Sequence, residues 1–289
     1  MEITFLGLPN NSKAGVALIP APFEFTTSWQ KGTSLAPIEV LKVSPNMEFL
    51  DEEFFLEPAK ELGFFTYPCE ELPFNLEDAL KTLEKKVLDA LKESRFPIII
   101  GGEHTVSLAG VKAVKTLYPE LKLLHFDAHL DLRDEYLGTR INHATVMRRI
   151  KELGVEILSI GIRSISSEEL EYIKNTNHSV IWAWQVFKER EKVLKKITEF
   201  FSDAKVYVSL DIDVIDPGLA PGTGTPEPGG LNWWDLLDIL KLVFKVAQPV
   251  GGDIVEVKPS IGEPITEYIA SKLVFKFGTY ILAKKRGLL

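Results

Sequence analysis

The sequence predicts an α/β protein built on a mostly parallel sheet. Short apolar runs alternate with longer amphipathic segments, the rhythm of βα units. Eight of these runs have strand length. Acids and histidines gather where several of them end, and that is where open parallel sheets assemble their sites.

The runs "VALIPA" from Val16 and "GFFTY" from Gly63 come first. Apolar residues at helical spacing from Leu76 to Ser94 then lead into "FPIII" from Phe96. The next helices, Val106 to Tyr118, Ala144 to Leu153 and Ser167 to Asn175, precede the strands "LKLLHFD" from Leu121, "VEILSI" from Val155 and "SVIWAW" from Ser179. One long helix is predicted from Gln185 to Phe201, with "KEREKVLKK" from Lys188 as its solvated, charge-paired face. "KVYVSLD" from Lys205, a helix Trp233 to Val246, "GGDIVEV" from Gly251 and a helix Thr266 to Phe277 complete the series. The segment Val214 to Gly230, "VIDPGLAPGTGTPEPGG", is too dense in proline and glycine for helix or sheet. A structureless loop of that length inside a compact domain is usually functional.

With 289 residues, 45% of them hydrophobic, the chain can bury a large core, and no repeat or low-complexity linker divides it, so residues 1–289 read as a single domain. The formal net charge of -8 and the scattered lysines disfavour a broad phosphate-binding surface, hence no nucleic-acid partner is expected. The lone Cys69 excludes an internal disulfide and any multi-cysteine metal site. Neither a signal-peptide pattern nor an apolar run of membrane-spanning length is visible, so a reduced, cytoplasmic compartment and no membrane partner are expected.

Three polar clusters carry the chemistry. "GGEHT" puts His104 where the third run turns into a helix; Asp127, His129 and Asp131 follow the fourth; Asp211 and Asp213 close the seventh. Alternate residues of an extended chain point to one side, so each set can converge. A single Asp-x-Asp reads as a solvated turn. Three such clusters at three strand ends are different, because four carboxylates held together repel unless cations lie among them. Two divalent ions bring the set near neutrality. Carboxylate-rich ligands with one imidazole per ion and no thiolate suit Mn²⁺, with zinc, cobalt or iron as alternatives.

"GGEHT", "DAHLDLRD", "NHATVMRR", "SLDIDVIDPGLAPGTGTPEPGG" and "VEVKP", in this order, resemble the ureohydrolase family of arginases and agmatinases, most of all its agmatinase branch. The resemblance spans nearly the whole chain, from "PAPFEFTTSWQKGTSLAPIEVLK" to the last helix. It implies a three-layer α/β/α sandwich around an eight-stranded, mostly parallel sheet, in agreement with the strand count. It also implies that His104, Asp127, His129, Asp131, Asp211 and Asp213 share two Mn²⁺ per chain. A water between such ions becomes hydroxide near neutral pH, since one zinc alone brings bound water from a pKa of about 15.7 to about 7. In the implied reaction this nucleophile attacks a guanidinium carbon, and urea and an amine result.

By the same resemblance His143 in "RINHATVMRR" shuttles a proton to the leaving amine, and Glu256 in "DIVEVKP" holds the guanidinium through a charged contact. Thr225 falls beside the substrate. Glu227 either steers its distal amine or is a plain loop glutamate. The implied substrate is a small cationic guanidine. Agmatine leads, ahead of aminopropylagmatine, guanidinobutyrate, arginine and formiminoglutamate; a non-catalytic metal-binding scaffold is disfavoured because ligands, His143 and Glu256 occur together. Family members commonly form trimers and hexamers, so a homo-oligomer is expected.

The remaining expectations are more local. His125 reads as a satisfied core histidine and His178, after "KNTN", as a solvated turn residue. Trp182, Trp184, Trp233 and Trp234 read as core or subunit-interface aromatics. Glu103 replaces the commoner family aspartate. Lys258 is unusual: if the last strand persists it points with Glu256 and competes with a cationic substrate, and if the chain turns before Pro259 it faces solvent. Asp134 and Glu135 would repel a substrate carboxylate if they face the site, and Ser166 stands where arginases place an aspartate for the α-ammonium. Together these predict a decarboxylated guanidine as preferred substrate.

Overall fold

The computed structural model describes residues 3–260 and 262–289. Among them eight strands form one sheet: β1 (Val16–Ala21), β2 (Phe64–Thr66), β3 (Phe96–Gly101), β4 (Lys122–Phe126), β5 (Glu156–Ile162), β6 (Ser179–Trp182), β7 (Lys205–Asp211) and β8 (Gln248–Val255). Their order across the sheet is β2-β1-β3-β8-β7-β4-β5-β6, and every pairing is parallel. The α-helices are α1 (Ala36–Val43), α2 (Pro58–Glu61), α3 (Leu76–Lys92), α4 (Ser107–Leu117), α5 (Val146–Glu152), α6 (Ser167–Thr176), α7 (Ala183–Lys188), α8 (Arg190–Phe201), α9 (Trp233–Val246) and α10 (Ile265–Lys285).

Strand alternation sorts the core into two layers. Ile98 and Ile100 of β3, with Leu124 and Val208, pack against α1, α8, α9 and α10 on one face. Ile99, Leu123 and Tyr207 pack against α3, α4 and α5 on the other. A sheet covered on both faces needs apolar side chains at both parities, which is why its strands read as continuous apolar runs rather than alternating ones. The three-layer α/β/α sandwich is thus realised with a wholly parallel sheet. Among the described residues no helix is long and apolar enough to cross a membrane.

Several boundaries differ from expectation. The helix predicted over 185–201 is two, because Glu189 adopts φ -132°, ψ 37° between α7 and α8. The last strand begins at Gln248, where backbone pairing to Lys205 fixes it whatever the side chains, and stops at Val255. Glu256 lies beyond it at φ +61°, in the left-handed region. The last helix runs on to Lys285, and α1 forms in a segment whose short pattern predicted none.

Candidate active site

Four strands adjacent in the sheet, β3, β8, β7 and β4, deliver the polar residues at their C-terminal ends. His104 opens a 3-10 turn beyond β3, Glu256 follows β8, Asp211 ends β7 and Asp127 follows β4. The approach beyond β3 requires glycine: a Cβ on Gly102 would lie 2.0 Å from the Phe23 carbonyl oxygen. Beyond β4 the three residues do converge, but not by strand alternation. The strand stops at Phe126, and Asp131 sits at φ +52° with its carbonyl accepting from the Met147 amide at 3.1 Å.

Backbone amides hold one oxygen of several carboxylates. Asp127 Oδ1 accepts from His129 N (2.6 Å), Asp213 Oδ1 from Ala128 N (2.9 Å) and Asp211 Oδ1 from Asp213 N (2.8 Å). The other oxygens face the histidines. His104 Nδ1 lies 3.0 Å from Asp131 Oδ2, 3.2 Å from Asp127 Oδ2 and 3.5 Å from Asp211 Oδ2. His129 Nδ1 lies 3.0 Å from Asp213 Oδ2 and 3.5 Å from Asp127 Oδ1. Two overlapping groups able to hold an ion result: His104, Asp127 and Asp131 with His125 alongside, and Asp127, His129 and Asp213. Asp127 belongs to both.

The donor set fits divalent cations. His104 Nδ1 is buried without a hydrogen-bond partner. On its far side, the Ser209 hydroxyl donates to Asp253 Oδ1 (2.8 Å) and so accepts from His104 Nε2 (2.9 Å), leaving the Nδ1 lone pair for an ion. Without a cation the cluster draws protons. Burial, then neighbouring carboxylates, raise Asp211 well above the carboxylate range and push Asp131 up to about 6. Burial opposes a proton on His104, but Asp127 and Asp131 outweigh it and raise that histidine too. Positive charge at the centre reverses this tendency.

A cavity of about 260 Å³ opens over Asp131, Asp211 and His129, with Glu256, Thr225 and His143 in its walls. Glu256 Oε1 accepts from His104 N at 2.7 Å, and burial above all pushes its carboxyl up to about 8. Thr225 reaches Asp213 Oδ2 at 3.5 Å. Burial first, and the positive charge drawn to His104 next, push the His143 imidazole down to about 4. Glu227 is set back, 4.0 Å from His129 Nε2, while its carbonyl accepts from Arg163 Nη2 at 2.6 Å.

Other expectations meet a different environment. His178 is not a solvated turn residue: it is buried, its Nε2 2.9 Å from Ser159 Oγ, and burial pushes it down to about 3. Ser159 also contacts Nδ1 of His125 (2.9 Å), whose Nε2 meets Asp127 Oδ2 at 2.8 Å. His125 is therefore the satisfied core histidine expected, and it braces Asp127 as well. Lys258 neither competes at Glu256 nor faces open solvent; it is half-buried and donates to the Gln30 side-chain carbonyl. Asp134 is held by Arg149 (2.7 Å) and Arg140 (3.2 Å), and among the described residues neither it nor Glu135 lines the cavity. Their repulsion of a carboxylate therefore drops out. Sequence reasoning missed Arg133, which lines the cavity with its guanidinium 5.1 Å from the Tyr136 ring centre. Its place in the same polar stretch as Asp127, His129 and Asp131 was the available signal.

The parallel sheet gathers on its C-terminal edge a carboxylate–imidazole cluster whose donors could hold divalent cations, the arrangement of a hydrolase of this fold. The chain belongs to the arginase family, a family of binuclear metal enzymes whose sequence model matches residues 14–279, and it is an amidinohydrolase. It is 36% identical over 278 residues to the N(1)-aminopropylagmatine ureohydrolase of Synechocystis sp., covering 92% of this chain and 89% of the relative. It is also 36% identical over 259 residues to the agmatinase of Bacillus cereus, covering 87% and 86%. The crystal structure of agmatine ureohydrolase from Thermoplasma volcanium superposes with a TM-score of 0.89 at 30% identity, covering 100% of this chain and 96% of the other.

Proposed function

We propose that the protein hydrolyses a guanidine lacking an α-carboxylate, agmatine to putrescine and urea or its aminopropyl derivative to the corresponding amine, with two Mn²⁺ held by His104, Asp127, His129, Asp131, Asp211 and Asp213. Glu256 carries the reading: a buried carboxyl beside the ligand cluster, accepting from the His104 amide, is the partner a planar cation requires. Bound ions would supply a water of lowered pKa. Glu256 orients the guanidinium, Thr225 lines the same cavity, and His143 gives a proton to the departing nitrogen as the C–N bond breaks. The names of the relatives agree with this substrate class.

Discrimination against arginine follows from groups already spent. The Ser166 hydroxyl donates to Glu169 Oε2 (2.8 Å), and Glu169 also accepts from the Ser166 amide (2.9 Å) and the Leu132 amide (3.0 Å). Ser166 therefore brings no carboxylate of its own to an α-ammonium, and Glu169 in the cavity wall is already tied to the backbone. A second reading, a guanidine with an acidic tail such as guanidinobutyrate, is favoured by Arg133 alone. Exposed Trp184 and Trp234 fit a homo-oligomer, trimer or hexamer.

Urea release by the Mn²⁺-loaded protein from agmatine, aminopropylagmatine, guanidinobutyrate, formiminoglutamate and L-arginine tests the assignment. The expected kcat/KM for agmatine or its aminopropyl derivative exceeds that for L-arginine by about a thousandfold, the cost of an unpaired α-carboxylate when Arg133 stays against Tyr136. Comparable values for agmatine and arginine would remove the substrate assignment, and a preference for guanidinobutyrate would establish the second reading.

A further inference from the structure

We propose that Thr26 is a positioning residue that fixes the tautomer of His143, with its Nδ1 protonated, by relaying the buried carboxylate of Glu103. This rests on the role given to His143 above and specifies which of its nitrogens does the work.

Glu103 is fully buried at the turn beyond β3. Its two oxygens accept four hydrogen bonds: Oε2 from the amides of Phe25 (2.7 Å) and Thr26 (2.6 Å), and Oε1 from the hydroxyls of Thr26 and Thr105 (2.6 Å each). Burial raises the Glu103 pKa, and these four contacts, two of them from backbone amides that can only donate, oppose that shift and favour the carboxylate. Thr26 has one hydroxyl proton, and the short, charge-assisted bond to Glu103 takes it. The same oxygen lies 3.1 Å from the His143 amide, which donates to it, and 3.2 Å from His143 Nδ1. With no proton left, Thr26 can only accept from the ring. Nδ1 therefore carries the hydrogen and Nε2 keeps the lone pair, 3.4 Å from Ser28 Oγ at the cavity wall.

This has a consequence for proton transfer. A neutral imidazole with hydrogen on Nε2 could not take up a proton there before passing it to the leaving amine. With Nδ1 protonated, Nε2 accepts and then donates, and the imidazolium formed in between faces a hydroxyl bonded to a carboxylate. That contact counters part of the burial that pushes His143 down.

Magic-angle-spinning NMR of protein labelled with ¹⁵N-histidine and loaded with diamagnetic zinc reads the tautomer directly. The chain has 5 histidines, and a difference spectrum with His143→Gln isolates the signal. Wild type should show hydrogen on Nδ1 and a bare Nε2; hydrogen on Nε2 would overturn the proposal with no variant involved. Thr26→Val should mix the two tautomers and lower kcat by about tenfold, a fraction of the 10²–10⁴-fold that acid–base catalysis is worth, with KM within about twofold; Thr26→Ser should restore both readouts. An unchanged tautomer in Thr26→Val would also overturn it. If wild type released no urea from any guanidine while its tautomer followed Thr26 as stated, the substrate reading would fall and this assignment would stand.

Discussion

His143 is the residue where position and chemistry can be separated most cleanly, because it lines the cavity without belonging to either ion-holding group. His143→Ala should lower kcat by about 10²–10⁴-fold while metal analysis still finds both ions, and an unchanged kcat would reduce it to a wall residue. The six proposed ligands were legible because their chemistry is written locally, in acids and imidazoles packed at strand ends where solvated turns rarely carry three clusters. Residues that act through tertiary contacts were not. His178 follows "KNTN", whose polarity announces a turn, yet Ser159 and Lys151 close over it from β5 and α5. Thr26 lies in an irregular segment and acquires its meaning only from Glu103, 77 positions away. Glu256 was read as part of the last strand, which in fact stops at Val255, and the left-handed backbone that aims it is invisible in a β-rich run.

At the scale of elements, the turn beyond β3 joins three parts of the site. The Gly102 amide donates to Ala21 O (3.0 Å) and its carbonyl accepts from the Glu256 amide (2.8 Å) while His104 follows two residues on. Gly102→Ala would drive a methyl group into the Phe23 backbone, which has no rotamer by which to yield. The expected loss is about 3 kcal/mol or more, at the upper end of overpacking effects, with activity falling further than stability because His104 and Glu256 shift together. Urea denaturation beside a wild-type-level activity assay checks this; a stability within about 1 kcal/mol of wild type would show that β1 and β3 separate readily. Strands were legible because burial on both faces leaves unbroken apolar runs. The break at Glu189 was not, since the charged pattern continues through it, and neither was the extension of α10, which is buried nearly all round and so carries little periodicity past Phe277.

At the scale of the whole molecule, two of the places where charge is buried each make a stability prediction. In α10, Lys276 is fully buried and paired with Asp51 (2.7 Å) and Glu52 (3.0 Å). Burial lowers its pKa, but the hydrogen bonds to those acids outweigh it and the net shift is upward. A base with a raised folded pKa contributes stability that is complete below its unfolded value, about 10.4, and lost as pH rises through the folded one, so this pair supports the fold across the neutral range. Lys276→Met, which strands a buried carboxylate, should cost about 3–5 kcal/mol by denaturant titration at pH 7, and a neutral effect would mean that Asp51 finds another donor. The second place is the cluster beyond β4 and β7, where Asp127, Asp131, Asp211 and Asp213 repel one another at the centre of the sheet. Cations that bind there bind only the folded chain, because the ligands are up to 109 positions apart and the strands alone bring them together. Binding then adds RT ln(1 + [L]/Kd), about 2.7 kcal/mol per site at a hundredfold excess over Kd. Chelation should therefore lower Tm, and Mn²⁺ should restore it in two resolvable increments. In Asp213→Asn, which belongs to only one of the two ion-holding groups, Mn²⁺ should restore a single increment, whereas Asp127→Asn, common to both, should abolish the response. A Tm indifferent to chelator and to Mn²⁺ in the wild type would mean that the protons drawn by the cluster, and not metal ions, are what hold these carboxylates together.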